Sequence, residues 1–323
     1  MSVEAAIKPD VAGVTSPSRG PATVIRKAAV LGAGTMGARI AAHLANAGLP
    51  VVLLDIPAKE GARSAIALQA LDALKKSKPA AFYDPSYAAH VRVGNFDDDL
   101  ALLADCDWVI EAVTENLGIK QSLMEKVVPH LKQDAILTSN TSGLPVASIA
   151  AKLPETVRRR FFGTHFFNPP RYMRLLELIP TPEADAAAIG AISHFADVLM
   201  GKEVVFARDT PNFIANRIGV FIMLEAVRLM QEEDLTIEDV DALTGSAIGW
   251  PRTGTFRLAD MVGIDVLAHV AGNFEGSGAM PPFVRTMLER RWLGDKTRQG
   301  FYKKEKDAAG KDTRLVLDWK TLD

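Results

Sequence analysis

The sequence has a single cysteine, Cys106, among 323 residues, so no disulfide can form within one chain. Chains without disulfides are typical of reducing compartments, and we expect a cytoplasmic protein. Cys106 precedes the apolar run WVIEAV. A small buried residue at the entrance of a strand is the favoured interpretation of this position, ahead of a catalytic thiol.

Long apolar runs and an excess of one charge are also missing. A membrane span needs roughly 18 consecutive apolar residues. The longest candidate, GVFIMLEAV, is interrupted by Glu225. The 37 basic and 39 acidic residues give a formal net charge of −2, so no global positive field attracts nucleic acid. We therefore expect neither a membrane span nor a nucleic-acid partner.

The remaining sequence divides into four stretches. Residues 1–23 are rich in Pro, Gly, Ser and Ala and show no period, which predicts a flexible tail. Residues 24–208 alternate strand and helix patterns, as in parallel βαβ units. Residues 209–304 have apolar residues at helical spacing, which predicts a smaller all-α domain. Residues 305–323 are charged and are expected to form a loose tail.

A glycine motif lies at the first strand–helix junction, where VIRKAAVL is followed by GAGTMG. In a Rossmann-type α/β fold the first glycine makes a tight turn, the second admits a pyrophosphate and the third allows close helix packing. Asp55 ends the next strand and would bind the adenosine ribose, which favours NAD over NADP. A turn without ligand and an FAD site are the alternatives. The predicted cofactor-binding residues here are Gly32, Gly34, Thr35, Met36, Gly37 and Asp55.

Four polar residues elsewhere could carry the chemistry of alcohol oxidation. His165 follows an apolar strand and could take the hydroxyl proton. Glu177 lies on the next strand and could fix the His165 tautomer. Ser142 and Asn216 could bind the substrate oxygen. Without further information, a structural histidine and a plain ion pair at a sheet edge are open alternatives, and the motifs indicate no metal site.

The combined motifs SNTSG, HFFNP with a glutamate 12 residues on, DTPNFIANR, AIGW and GFY resemble the 3-hydroxyacyl-CoA dehydrogenase family over residues 24–304. The resemblance implies that His165 is the general base and Glu177 its charge partner. Ser142 and Asn216 would contact the substrate oxygen. It also implies further cofactor contacts at Glu115, Lys120 and Asn140.

The resemblance is closest to the dehydrogenase part of long two-activity β-oxidation proteins, because SNTSG and DTPNF are typical of that branch. The chain ends about where such a protein would continue, which leaves a fragment without the hydratase domain as one interpretation. Two segments depart from the family pattern. Pro251–Phe256 replaces the usual Pro-x-Gly-Pro-Phe, and Arg298 stands where glycine is common.

The resemblance implies NAD-dependent oxidation of (3S)-3-hydroxyacyl-CoA to 3-oxoacyl-CoA in fatty-acid β-oxidation. The substrate would be an acyl-CoA thioester, and the helical domain would form a homodimer. Coenzyme A phosphates would lie near the helix after the second strand. Lys75, Lys76 and Lys78 are candidates there, although a solvated helix end explains them equally well. A sugar-acid or other hydroxy-acid dehydrogenase, and a catalytically incomplete NAD-binding fragment, are the alternative functions.

Overall fold

The structure is a computed structural model that describes residues 24–272, 280–306 and 312–323. The predicted tail over residues 1–23 lies outside the described residues. The chain divides into two compact units. Of the described residues, the first unit contains 24–141 together with 146–208, and the second contains 142–145 together with those from 209 onwards. The segment 142–145 thus groups with the second unit, although the sequence placed it within the first domain.

The first unit is built on an eight-stranded sheet in the order β3-β2-β1-β4-β5-β6-β7-β8. The strands are β1 (Ala28–Leu31), β2 (Val51–Asp55), β3 (Val91–Asn95), β4 (Trp108–Glu111), β5 (Ile136–Ser139), β6 (Phe161–Phe166), β7 (Leu175–Pro180) and β8 (Glu203–Phe206). Strands β1 to β6 are parallel, while β7 pairs antiparallel with β6. The predicted α/β Rossmann-type fold is confirmed.

The strand order reverses between β1 and β4, because β1 has β2 on one side and β4 on the other. In open α/β sheets, ligands bind outside the carboxyl ends of the strands at such a switch point. The carboxyl ends of β1, β4, β5 and β6 share one edge of the sheet, since these strands are parallel. A cofactor site is therefore expected at this edge.

Six helices connect the strands of the first unit. They are α1 (Thr35–Asn46), α2 (Ala65–Lys75), α3 (Leu117–Val127), α4 (Val146–Ala150), α5 (Glu155–Arg158) and α6 (Ala186–Val198). Gly48 follows the end of α1 with φ +84°, a left-handed conformation that is common for glycine just after a helix. Helix α2 begins at Ala65, after Gly61, which adopts φ +77° and so lies outside the helical backbone.

Helices are the main secondary structure among the described residues of the second unit. Its helices are α7 (Ala215–Glu232), α8 (Ile237–Leu243), α9 (Gly254–Val262), α10 (Ile264–Gly272) and α11 (Pro282–Glu289). Met230, Phe256 and Met287 are fully buried at the centre of its core. The helical domain predicted after the Rossmann-type domain is confirmed.

The end of the chain differs from the prediction of a loose tail over residues 305–323. Strands β9 (Tyr302–Lys306) and β10 (Asp312–Val316) form an antiparallel pair. Leu317 is buried in the core of the second unit, and the Trp319 indole N–H donates to the Leu235 carbonyl at 2.9 Å. The charged strands lack the alternation of apolar and polar residues that identifies a strand in sequence, so the prediction was wrong here.

Within the described ranges, no helix is both long and apolar enough to cross a membrane.

Arg298 has a left-handed backbone, with φ +64°, which explains why the family pattern favours glycine at this position. This conformation is unfavourable for a residue with a Cβ atom. We expect Arg298→Gly to raise the free energy of unfolding by up to about 1 kcal/mol in a denaturant titration. The matched control is Arg252→Gly, at an exposed position outside the left-handed region, which should lower stability. Equal losses in both variants would contradict the explanation.

Candidate active site

The glycine turn after β1 is packed against its neighbours so closely that no Cβ atom fits at two positions. Gly32 has φ +103°, and its N–H donates to the Leu54 carbonyl of β2 at 2.7 Å. A Cβ atom at Gly32 would lie 2.7 Å from the Ala112 carbonyl oxygen. One at Gly37 would lie 1.9 Å from the Gly32 carbonyl oxygen. The third glycine therefore lets α1 begin directly against the turn.

The N-terminus of α1 has the properties of an anion site. Among the described residues, no side chain caps this end, and its first turn contains no acidic residue. A Cβ atom at Gly34 would meet nothing within 4 Å, and Thr35 beside it is exposed, while Met36 is half-buried. Unpaired N–H groups and the positive end of the helix dipole favour phosphate oxygens here.

Asp55 lies beside this turn, at the end of β2. One of its carboxylate oxygens accepts a hydrogen bond from the Ala33 N–H at 2.5 Å, and the other accepts from the Ile56 N–H at 2.6 Å. Each oxygen keeps a second lone pair, and the side chain is partly exposed. A ribose hydroxyl can donate to such a carboxylate, whereas a 2′-phosphate would be repelled. The residues present fit NAD.

Sequence reasoning missed the functional candidate at the end of β4. Glu111 is fully buried, and its Oε1 accepts from the Lys120 ammonium and from the Val113 N–H, both at 2.7 Å. Its Oε2 accepts from the Ser139 hydroxyl at 2.5 Å. The sequence feature that could have identified Glu111 is a charged residue at the end of the otherwise apolar strand WVIE, since a buried charge needs partners.

Lys120 was predicted to lie along the cofactor, but its side chain is 1% exposed. Its ammonium has three donors. Three oxygen atoms lie within reach, those of Glu111 at 2.7 Å, the Val113 carbonyl at 3.3 Å and Glu115 at 3.3 Å. The ammonium has three donors and three oxygen partners. We therefore expect Lys120 to affect the cofactor through the residues that it holds, and not by contacting the cofactor itself.

Glu115 and Asn140 both lie after strands that end at the switch-point edge. Glu115 is partly exposed and accepts a hydrogen bond from the Thr141 hydroxyl at 2.7 Å. The Asn140 N–H donates to the Glu111 carbonyl at 2.7 Å, and its side-chain oxygen accepts from the Phe166 N–H at 2.9 Å. The structure thus ties the ends of β4, β5 and β6 together at the predicted cofactor edge.

His165 and Glu177 face each other across the antiparallel pair β6–β7, where they are register partners. The imidazole Nδ1 lies 2.7 Å from Oε2 of Glu177. His165 is 5% exposed and Glu177 is fully buried. A carboxylate on Nδ1 favours the tautomer in which that nitrogen carries the proton, which leaves Nε2 as the basic nitrogen. The predicted pairing of the two side chains is present.

Ser142 and Asn216, the other two predicted catalytic residues, belong to the second unit. Ser142 lies in the short segment that follows β5 and Thr141. Asn216 is the second residue of α7. Two of the four predicted catalytic residues, His165 and Glu177, therefore lie in the first unit and the other two in the second.

Two further groups of candidates lose support in the structure. Lys75, Lys76 and Lys78 lie at the end of α2, which leads away from the cofactor edge, because parallel β3 must begin at the opposite edge. The Lys75 ammonium pairs with Asp72 at 2.8 Å on the same helix, so the interpretation as a solvated helix end is favoured.

Cys106 is fully buried, and burial raises the pKa of its thiol to about 12, which leaves no nucleophilic thiolate at neutral pH.

Two family profiles match the chain. The profile of the "3-hydroxyacyl-CoA dehydrogenase, NAD binding domain" matches residues 27–210, and that of the "3-hydroxyacyl-CoA dehydrogenase, C-terminal domain" matches residues 213–304. The "Probable 3-hydroxyacyl-CoA dehydrogenase" of Deinococcus radiodurans is 46% identical over 291 residues, which cover 88% of this chain and 84% of that protein.

A second relative of the same name, from Bacillus subtilis, is 43% identical. The match covers 87% of this chain but 38% of that relative, so the chain spans less than half of its length. Among solved structures, (S)-3-hydroxybutyryl-CoA dehydrogenase PaaH1 from Ralstonia eutropha has a TM-score of 0.72 at 30% identity. That match covers 85% of this chain and 98% of the solved one.

Proposed function

The chain belongs to the 3-hydroxyacyl-CoA dehydrogenase family and is an NAD-dependent enzyme of that family, and we propose that it oxidises (3S)-3-hydroxyacyl-CoA in fatty-acid β-oxidation. The products are the 3-oxoacyl-CoA and NADH. The observation that carries the proposal is the buried His165–Glu177 pair, which lies on the sheet whose glycine turn fits NAD. The name of the Ralstonia relative, a (S)-3-hydroxybutyryl-CoA dehydrogenase, supports the substrate class and its configuration.

Cofactor binding is assigned to the edge at which β1, β2, β4 and β5 end. NAD, when bound, accepts the hydride from carbon 3 of the substrate. The N-terminus of α1 would hold the pyrophosphate, and Asp55 would accept a hydrogen bond from the adenosine ribose. Glu115 and Asn140 would contact the cofactor towards its nicotinamide ribose, and the Lys120 ammonium, 3.3 Å from Glu115, would hold that carboxylate in place.

Proton removal is assigned to His165. Nε2 takes the proton of the 3-hydroxyl group while the hydride leaves carbon 3, and the imidazole becomes an imidazolium. Glu177, bonded to Nδ1 at 2.7 Å, orients the ring and stabilises that positive charge. Because Glu177 is fully buried, little water competes for its carboxylate. For Ser142 and Asn216 the proposal rests on the family resemblance, which implies that they would donate hydrogen bonds to the substrate oxygen.

The proposal is tested by comparing a thioester with its free acid. The purified protein, NAD and (3S)-3-hydroxybutyryl-CoA should give NADH with an absorbance rise at 340 nm. Free (3S)-3-hydroxybutyrate should give little or none. Turnover of the free acid without turnover of the thioester would replace the proposal with a hydroxy-acid dehydrogenase.

We also propose a homodimer formed by the helical unit. Several apolar side chains on α7, α9 and α10 are between 44% and 56% exposed, which is typical of an association surface. They are Ile218, Phe221, Leu229, Leu258, Met261, Val262 and Val266. A two-fold interface uses the same surface of both copies, so one self-complementary apolar face is sufficient.

The dimer predicts a light-scattering mass of twice the 34.9 kDa of one chain. Phe221→Glu places a charge on the exposed apolar face of α7 proposed as the interface, and should reduce the mass to that of one chain. Tyr83→Glu, on an exposed aromatic side chain of the first unit, is the matched control and should leave the mass unchanged. A single-chain mass for the unsubstituted protein would reject the dimer.

We propose a cytoplasmic location for the enzyme. Its single cysteine is a buried free thiol, which suits a reducing compartment.

A further inference from the structure

We propose that Glu111 is a positioning residue, which holds the backbone beside the glycine turn in the place that NAD binding requires. The inference rests on the NAD-dependent function proposed above. It concerns a residue that makes none of the cofactor or substrate contacts assigned there.

The surroundings of Glu111 indicate that this residue does more than fill space in the core. The other residues of β4, Trp108 to Ile110, are apolar and fully buried, so an apolar residue at position 111 would fill the space but could not pair with the polar groups around it. A buried carboxylate is costly unless its oxygens are paired. Glu111 accepts from three donors of different kinds, an ammonium, a backbone N–H and a hydroxyl. What distinguishes it is the set of groups that it holds together.

On the cofactor side, Glu111 fixes the segment that forms the wall of the glycine turn. Its Oε1 binds the Val113 N–H and the Lys120 ammonium, each at 2.7 Å. Between Glu111 and Val113 lies Ala112, against which Gly32 packs with no space for a Cβ atom. A shift of this segment by a fraction of an ångström therefore alters the turn on which the pyrophosphate site depends.

The same ammonium connects Glu111 to a predicted cofactor contact. Lys120 lies 3.3 Å from Oε2 of Glu115, which is partly exposed, whereas Glu111 and Lys120 are both buried. If position 111 lost its charge, the Lys120 ammonium would rely on Glu115 as its remaining carboxylate partner. Glu115 would then be drawn towards the protein interior and away from the cofactor edge.

On the side of the base, Glu111 is linked to the end of β6 through the end of β5. Its Oε2 accepts from Ser139, and its backbone carbonyl accepts from the Asn140 N–H at 2.7 Å. Asn140 in turn accepts from the N–H of Phe166, the residue directly after His165. One buried residue thus connects the wall of the cofactor turn with the strand that carries the base.

The experiment measures the Kd of NAD by calorimetry at 25 °C, together with Tm, for the full chain. Glu111→Gln keeps the size of the side chain but removes its charge. We expect the Kd of NAD to rise by about tenfold or more, as for loss of a charged hydrogen-bonded pair. Ser139→Ala removes one donor and should raise Kd by a smaller factor. Glu125→Gln, an exposed glutamate on α3, is the matched control and should leave Kd within about twofold.

A merely structural role would lower Tm while the folded protein bound NAD as before. A Kd within about twofold of the unsubstituted value in Glu111→Gln would therefore overturn the proposal, whatever the change in Tm. If Glu111→Gln does not fold, the Kd values of Glu111→Asp and Ser139→Ala decide in the same way. Failure of the substrate proposal is recognised separately, because an unsubstituted chain that binds NAD without oxidising the thioester leaves this comparison valid.

Discussion

The His165→Gln variant should oxidise (3S)-3-hydroxybutyryl-CoA with a kcat at least about 10²-fold below that of the unsubstituted enzyme, while the Kd of NAD stays the same. A positioned general base contributes typically about 10² to 10⁴ in rate. Glutamine keeps a polar side chain that can hydrogen-bond to the buried carboxylate of Glu177, so the pair remains satisfied. It cannot accept the hydroxyl proton, and the chemical step loses its base.

Stopped-flow single turnovers with pre-bound NAD measure this step directly. The control is His194→Gln, which makes the same change at an exposed position on α6 and should leave kcat unaltered. Full turnover by His165→Gln would show that the proton leaves by another route, and the proposed mechanism would fail. A loss of NAD affinity equal to the loss of rate would instead assign His165 to the binding site.

The second large effect concerns the glycine turn, where two substitutions by alanine should have different consequences. In Gly34→Ala the added methyl group faces open space, so the free energy of unfolding should change by less than about 1 kcal/mol. The methyl group would stand where the pyrophosphate approaches, and we expect the Kd of NAD to rise by tenfold or more, roughly 1.4 kcal/mol.

In Gly37→Ala the methyl carbon would lie 1.9 Å from the Gly32 carbonyl oxygen, which is backbone and cannot rotate away. The turn and α1 must separate, so we expect both a loss of stability of about 1–3 kcal/mol and a weaker cofactor complex. Urea titration and calorimetry on the two variants distinguish these cases. Unchanged NAD affinity in Gly34→Ala would contradict the placement of the pyrophosphate at this helix end.

Much of the site could be predicted because its residues follow strands. Parallel strands end at one edge, so Asp55 and the glycine turn had to come together once β1 and β2 were identified. His165 and Glu177 lie 12 residues apart on adjacent antiparallel strands, and their register places them face to face. Such contacts follow from the order of the strands along the chain and from their directions, and the sequence pattern indicates both.

Other features depend on information that no pattern carries. The position of Glu111 in an apolar strand shows only that the residue is exceptional, and its side-chain partners Lys120 and Ser139 lie 9 and 28 residues further along the chain. The expectation that Lys120 acts indirectly on the cofactor rests on the number of oxygen atoms near its ammonium, which is known only from the three-dimensional structure. The strands β9 and β10 are charged, and their pairing is set by the backbone and by the core contact of Leu317.

The most direct test of the central claim is to mix the protein with NADH and acetoacetyl-CoA and to follow the absorbance of NADH at 340 nm. The proposed function predicts consumption of one NADH for each acetoacetyl-CoA reduced, and a rate about 10² or more lower for His165→Gln under the same conditions. A C10 3-oxoacyl-CoA in a parallel reaction gives the chain-length class. No consumption of NADH with either thioester, by a protein that still binds NAD, would contradict the assignment of this chain as an active 3-hydroxyacyl-CoA dehydrogenase.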